Sequence, residues 1–333
     1  MTNDQRPTTT VVVTAAVVEH DGSYLVTRRQ KGVHLEGLWE FPGGKCDRDE
    51  SLKVCLAREI LEELDVPSMR EYFEGGESAK PTGKTFQLDD VRLRAPIVPK
   101  KFFHTAGNYQ EHHEESLRVG WSHPVRPWIV FFQNVDAIIG PEDNIVYPEH
   151  LTNELDYELE LAVVIKKAGK FFTAEEAHEY IGGFIVFNDI TARDIQRREM
   201  RSGVFSFCKA IDTFVPIGPW IVTPDEIPDP HNLNVELRVN GEKRQISNTS
   251  HMSYSIEEII AHYSPLGYSA GDILSTGTVS GVAGFSPDAA SLYLKPGDVV
   301  EAEIERVGVL RNPIVSWQQA HGVPAPAKVE WGA

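Results

Sequence analysis

Glu158 and Glu160 stand two residues apart in LDYELELAVVI, and Asp189 closes the segment GGFIVFND. Both segments are apolar runs that read as strands. A spacing of two puts the Glu158 and Glu160 carboxylates on one face of a sheet, while Leu159, Leu161, Val163 and Ile165 supply the buried face. Three carboxylates at strand positions, with no basic run beside them, are costly unless a cation lies between them. A hard divalent ion with oxygen ligands is the natural candidate. An E-x-E pair alone is more often two surface acids, so the reading depends on what accompanies it.

A second group of residues suits chemistry beside such an ion. In Asn108-Tyr109-Gln110-Glu111-His112-His113-Glu114-Glu115, His112 and Glu115 are three apart and share a face if the segment is helical. A carboxylate beside an imidazole fixes its tautomer and raises its basicity, which makes a general base for water. Lys209, in SFCKAID, is flanked by apolar residues and Cys208. A half-buried lysine near a metal is suited to holding an enolate or oxyanion, and an ion pair with Asp212 is the structural alternative. Thr276-Gly277-Thr278 is a small-residue turn whose amides and hydroxyls could bind a substrate carboxylate, although a Thr-Gly-Thr string alone is simply a turn.

The elements that position these groups lie in seven strings that occur in a fixed order. They are GNYQEHHEE (107–115), DYELELAVVI (156–165), FNDITARDIQ (187–196), KAIDTFVPIGPW (209–220), VNGEKRQISNTSHM (239–252), STGTVSG (275–281) and LKPGDVVEAEIERVGVLRNPIV (294–315). Together they resemble the fumarylacetoacetate hydrolase family, from about Asp89 to Val315. The resemblance implies an α+β fold, a mixed β-roll whose central site holds Mg2+ or Mn2+ on Glu158, Glu160 and Asp189. It implies small 2-oxo acid and 1,3-dicarbonyl substrates and a homodimer. It selects His112 over His113 as the base, with Glu115 behind it, and places Lys209 in the catalytic site. Arg193, Gln196 and Thr213, with Thr276, Gly277 and Thr278, then surround the substrate. Two departures bear on substrate identity. Gln133 stands where the family often has lysine, and Val279 follows Thr278 where the family often has proline.

The expected reaction is hydrolysis of a C–C bond in an acylpyruvate-like substrate. Without water the same site would decarboxylate oxaloacetate or move a double bond in a hydroxydienoate. All three need an enolate held on a metal, and the sequence leaves them open.

The first 70 residues tell a different story. Gly44, Glu50, Arg58, Glu59, Ile60, Glu62, Glu63 and Val66 fit the spacing G-x5-E-x7-R-E-U-x-E-E-x-G-U, with Asp65 in place of the last glycine. This resembles a Nudix box. TTTVVVTAAVV reads as a strand, Asp21-Gly22 as a turn and SYLVTRR as the hairpin partner. Ser51 to Leu64 reads as a helix whose Glu59, Glu62 and Glu63 offer a second metal patch. The likeness covers about residues 9–66, and the polar stretch 71–88 reads as a linker before a catalytic domain over 89–320. The expectation is therefore a partial Nudix-like β-α unit over 1–70, acting as a cap. A nucleotide pyrophosphohydrolase run by the glutamates of the box is the alternative from another class of chemistry.

Bulk properties fit a small-molecule enzyme. Among 333 residues, 32 basic and 49 acidic side chains leave a net charge of -17, which argues against nucleic acid or anionic membrane as partner. Cys46, Cys55 and Cys208 are dispersed and odd in number, pointing to a reducing cytoplasm and no disulfide framework. No apolar run reaches membrane-spanning length, and the start shows no signal pattern.

Overall fold

A computed structural model of the chain describes residues 92–120 and 128–331, together with seven short strands between Val13 and Phe86. The chain divides into two compact units, 1–91 and 92–333.

In the first unit Glu19–His20 pairs antiparallel with Ser23–Leu25, bringing His20 opposite Ser23 across Asp21-Gly22. The turn signal is thus followed by the hairpin it predicts. Val13–Ala15 pairs with Gly43–Lys45, and Thr27–Arg28 with Trp39–Glu40. The stretch 71–88, read as a linker, holds Thr85–Phe86, which pairs with Ser23–Leu25 and adds a strand to this unit. The Ser51–Leu64 segment, with Glu59, Glu62 and Glu63, lies outside the described residues.

The second unit is built on two mixed sheets. The larger has seven strands in the order Ile138–Ile139, Val215–Val222, Ile181–Asn188, Leu159–Ile165, Ile273–Thr278, Phe102–Ala106, Ile129–Phe132. The first and the fifth-to-sixth pairings are parallel and the rest antiparallel. The smaller has five strands, Ile145–Tyr147, Gly308–Ser316, Val299–Ile304, Asn234–Val239 and Glu242–Asn248, with one parallel pairing at its edge. Helices are few and short, and the architecture is the expected α+β type.

The two sheets bury their strands differently. Val299–Ile304 alternates between buried and half-buried positions, the signature of a sheet with one face in the core. Leu159–Ile165 is buried at every position. Leu159, Leu161, Val163 and Ile165 join the main core with Leu237, Ala302 and Ile304 of the smaller sheet. The opposite face is also closed, by Ala162, Ile185, Phe187 and Phe102, all fully buried. Glu160 lies opposite Phe187 in the register and therefore sits on this second closed face. The sequence pattern marks one apolar face correctly; it does not reveal that the face carrying the carboxylates is covered too.

Candidate active site

The segment containing His112 and Glu115 forms a helix, Gln110–Arg118, in which His112 and Ser116 are the buried positions. Glu111 in its first turn and Arg118 in its last suit the helix dipole. Asp189 follows the last residue of the Ile181–Asn188 strand, and its amide donates to the Glu158 carbonyl, locking the two strand ends together. Asn188 adds a side-chain clamp, accepting from the Glu158 amide at 3.0 Å. These backbone ties bring Glu158, Glu160 and Asp189 into one buried cluster whose ligand oxygens lie within 4.8 Å of one another.

Two buried cations meet this cluster. Lys209 Nζ donates to Glu158 Oε2 at 2.8 Å, Asp189 Oδ2 at 2.6 Å and Thr191 Oγ1 at 2.7 Å. Asp212, the alternative ion-pair partner, is not the residue that holds it. Arg193 donates to Glu158 Oε1 at 2.6 Å, to Asp156 Oδ2 at 2.7 Å and to Gln196 Oε1 at 2.9 Å. Asp156 is itself fully buried and accepts from the Tyr157 amide and from the amides of Ala283 and Gly284. It therefore fastens Arg193 and the backbone at 283–284 to the segment that leads through Glu158 into the Leu159–Ile165 strand.

The electrostatics separate two carboxylates that are nearly adjacent in sequence. Burial alone would push Glu158 up, but Lys209, Arg193 and His112 hold its carboxyl down at about 2. Glu160 goes the other way. Burial and the neighbouring charges of Asp189 and Glu158 push it well above the ordinary carboxylate range. Burial would lower the Lys209 ammonium, yet Asp189 and Glu158 keep it raised. The cluster is thus short of positive charge at Glu160.

The donor set fits a divalent cation. Asp189 Oδ1 is buried and has no hydrogen-bond partner, and Glu160 sits in a field that opposes its ionisation. An ion held by all three carboxylates would relieve both conditions, because hard oxygen donors are what Mg2+ and Mn2+ take. Lys209 holds Glu158 Oε2 and Asp189 Oδ2, which leaves Glu160 and Asp189 Oδ1 without a cationic partner.

His112 lies close enough to Glu158 to lower its pKa, and its Nδ1 is 3.7 Å from Glu115 Oε2. Glu115 is anchored by the Gly281 amide, 3.1 Å from each of its oxygens. Gly281 has φ +100°, and a Cβ there would stand 2.2 Å from the Arg244 carbonyl oxygen, so no other residue fits without backbone movement. The Phe285 ring lies 5.0 Å from the imidazole and holds its other side.

The remaining expected residues also gather nearby, in different roles. The Gly277 amide, at φ +89°, donates to Glu160 Oε2 at 3.2 Å. Thr276-Gly277-Thr278, expected as a turn, is the end of the strand Ile273–Thr278, and the hydroxyls of Thr276 and Thr278 donate to the carbonyls of Leu161 and Leu159 on the neighbouring central strand. Thr213 accepts from the Val146 amide and donates to the Asp212 carbonyl. Gln133 is buried, with its Nε2 lacking a hydrogen-bond partner.

Three residues escape the sequence reading. His104 is buried, 3.4 Å from Asp189 Oδ2, and stacks on Phe131. Asp156 and Thr191 serve Arg193 and Lys209. His104 shows in the sequence only as one polar residue inside the apolar run KFFHTAG, and Asp156 as one acid beside the E-x-E pair. Neither spacing carries a signal by itself.

A seven-stranded mixed sheet, three converging carboxylates and a neighbouring imidazole–carboxylate pair define a class of small-molecule enzyme. The family model described as fumarylacetoacetate (FAA) hydrolase C-terminal matches residues 101–315, and the chain belongs to that family. The NUDIX domain model matches residues 8–116, a likeness that runs past the box. The mitochondrial oxaloacetate tautomerase of Rattus norvegicus is 39% identical over 259 residues, spanning 74% of this chain and 80% of that protein. Among solved structures, 5-carboxymethyl-2-hydroxymuconate delta-isomerase from Mycobacterium smegmatis is 35% identical with TM-score 0.59, covering 71% of this chain and 84% of that one. Fumarylacetoacetate hydrolase from Exiguobacterium antarcticum is 29% identical with TM-score 0.64, covering 92% and 100%. Among the described residues no helix is long and apolar enough to cross a membrane.

Proposed function

We propose that this chain enolises a small 2-oxo acid of the oxaloacetate type, moving a proton at the carbon beside the carbonyl. The observation that carries this reading is the buried cluster in which three carboxylates, Lys209 and Arg193 meet the His112–Glu115 pair. Glu158, Glu160 and Asp189 would hold Mg2+ or Mn2+, which would supply a Lewis acid for a 2-oxo acid. Lys209, fixed by Glu158, Asp189 and Thr191, presents its charge where the enolate oxygen develops. Arg193 keeps Glu158 ionised. His112 takes the proton from carbon and returns it, its ring oriented by Glu115 and Phe285. The names of two relatives support the reading, since a tautomerase and a delta-isomerase both relocate a proton.

Hydrolysis of an acylpyruvate C–C bond is the second reading. It is favoured by Glu115 Oε2, 3.7 Å from His112 Nδ1, which would orient the ring as a base for water through its other nitrogen. One panel separates the readings: oxaloacetate followed for both keto–enol exchange and pyruvate release, an acylpyruvate, a hydroxydienoate and 8-oxo-dGTP. Each is assayed with Mg2+, with Mn2+ and with EDTA. Metal-dependent keto–enol exchange that Glu158→Ala removes is the expected result. Acylpyruvate cleavage without any effect on oxaloacetate would select the second reading. Nucleotide hydrolysis that survives Glu158→Ala would move the activity to Glu59, Glu62 and Glu63 of the N-terminal box.

A further inference from the structure

Past the last strand of the smaller sheet, and outside the family match that ends at residue 315, the chain makes one short helix and then a strap. The helix Trp317–His321 is stopped by Gly322 at φ +73°, the left-handed conformation that glycine takes without strain. From Pro324 to Trp331 the chain is neither helix nor strand, and Pro324 and Pro326 favour an extended path. An extended segment bonds nothing within itself, so it must be held by what it lies on. The Val329 amide donates to the His150 carbonyl at 2.8 Å, and the Trp331 indole Nε1–H donates to the Leu151 carbonyl at 3.1 Å. The half-buried Trp331 ring packs against the main core. The Arg198 guanidinium lies 4.6 Å from the centre of this ring, and the Phe207 ring meets it edge-on at 6.1 Å.

The three residues that meet Trp331 belong to three segments, and each segment delivers one group to the active site. Leu151 heads the stretch that leads through Asp156 to Glu158. Arg198 is on the helix Arg193–Met200, whose first residue binds Asp156 and Glu158. Phe207 opens the turn Phe207–Lys209, whose last residue binds Glu158 and Asp189. The polar ties among these segments on this side are open to water. Arg197 donates to Glu154 at 2.6 Å with side chains 43% and 25% exposed. Glu199 accepts from the amides of Ser206 and Phe207 at 3.3 and 3.0 Å, again in exposed positions. Contacts of this kind each contribute little. An indole shared by all three segments adds apolar area and shields them from solvent.

We infer that Trp331 is a positioning residue: its indole holds together the three segments that present Glu158, Arg193 and Lys209, so the C-terminal strap fixes the spacing of these groups. Its consequence for turnover rests on the enolisation reading above, whereas the coupling of the segments does not.

Hydrogen exchange on the full chain reads the coupling without any substrate. In Trp331→Ala, amides within 150–158, 193–200 and 206–210 should exchange roughly tenfold faster, about what loss of one half-buried aromatic side chain gives. The strand Asn234–Val239 should keep its wild-type rate. Trp331→Phe retains a ring for Arg198 and Phe207 but has no Nε1–H, so 150–158 alone should loosen. In oxaloacetate keto–enol exchange with Mg2+, Trp331→Ala should lower kcat about tenfold with KM within about twofold, and Trp331→Phe should restore most of it. Unchanged exchange in Trp331→Ala, faster exchange in one segment alone, or a uniform rise that includes Asn234–Val239 would overturn the coupling. Faster exchange in all three segments with wild-type kcat would overturn the positioning role. A wild type that turns over no 2-oxo acid would overturn the enolisation reading and the positioning role built on it, while exchange would still decide the coupling.

Discussion

Two ion networks of similar composition sit on the two sheets of this chain, and they differ in their exposure to water. On the smaller sheet Arg238 pairs with Glu236 at 2.6 Å, Glu303 at 2.8 Å and Glu301 at 3.5 Å, with side chains 20–44% exposed. At one end of the larger sheet, Arg193 and Lys209, from short helices, pair with Asp156, Glu158 and Asp189, with side chains at most 7% exposed. The outer network holds its charges where solvent would satisfy them anyway. The inner one has no such recourse, so every charge depends on its neighbours. The same residue types thus give surface decoration on a sheet with one wet face and a mutually dependent cluster where water is excluded.

Breaking the inner network should have the larger consequences. Glu158→Ala removes one carboxylate of the proposed metal site and leaves Lys209 and Arg193 with one fewer acid. Metal-dependent turnover of 2-oxo acids should fall by about 10²–10³-fold or more, measured as kcat with Mg2+ or Mn2+ saturating. Retention of wild-type kcat would remove Glu158 from the site.

Asp156→Ala tests the network as structure. It strands Arg193 and frees three amides that now donate to one buried carboxylate. The expected loss is about 3–5 kcal/mol in denaturant unfolding, the usual cost of removing one partner of a buried pair. A loss below that of the outer network's variants would show that burial does not set the difference.

The contrast between Glu158 and Glu160 gives a pH test with opposite signs. Glu158 falls from 4.5 to about 2 on folding, so its stabilisation is complete above pH 4.5 and is lost as pH drops toward 2. Glu160 is raised on folding, so it costs stability as pH climbs above 4.5. At neutral pH in EDTA, Glu158→Gln should therefore lower Tm and Glu160→Gln should raise it. Adding Mg2+ should raise the Tm of the wild type by mass action and erase the advantage of Glu160→Gln. Equal shifts in both variants, with or without metal, would refute the assignment of the missing positive charge to Glu160.

The smallest effect belongs to the outer sheet. Glu303→Gln should cost about 1 kcal/mol or less, and added salt should shrink even that. A cost matching that of Asp156→Ala would abolish the comparison.

Much of the site was legible before any coordinates. The apolar run after the E-x-E pair marked the Leu159–Ile165 strand, which includes Glu160 but begins after Glu158, and His112 with Glu115 stood at the spacing of the helix Gln110–Arg118 that carries both. Asp156 and His104 were not legible, because one acid beside two others and one histidine among phenylalanines have no spacing to betray them. The hydroxyls of Thr276 and Thr278 were read as substrate contacts, and they are bonded to the carbonyls of the Leu159–Ile165 strand. A Thr-Gly-Thr string says that it has hydroxyls; its neighbours decide what they bind.

What the sequence determined by itself was local: which residues alternate, which turns close, and which side chains bear charge in which order. Chain order carries that information because strand and helix periods act over a few residues. The sign of each carboxylate's pKa shift was settled only in three dimensions. Glu158 and Glu160 are the same residue type two positions apart, one just ahead of the Leu159–Ile165 strand and one inside it. Lys209 and Arg193, arriving 51 and 35 residues later in the chain, reach one and leave the other among acids. Electrostatic energy in a buried site depends on distances of a few ångströms between groups far apart in sequence, and only the packed sheets set those distances.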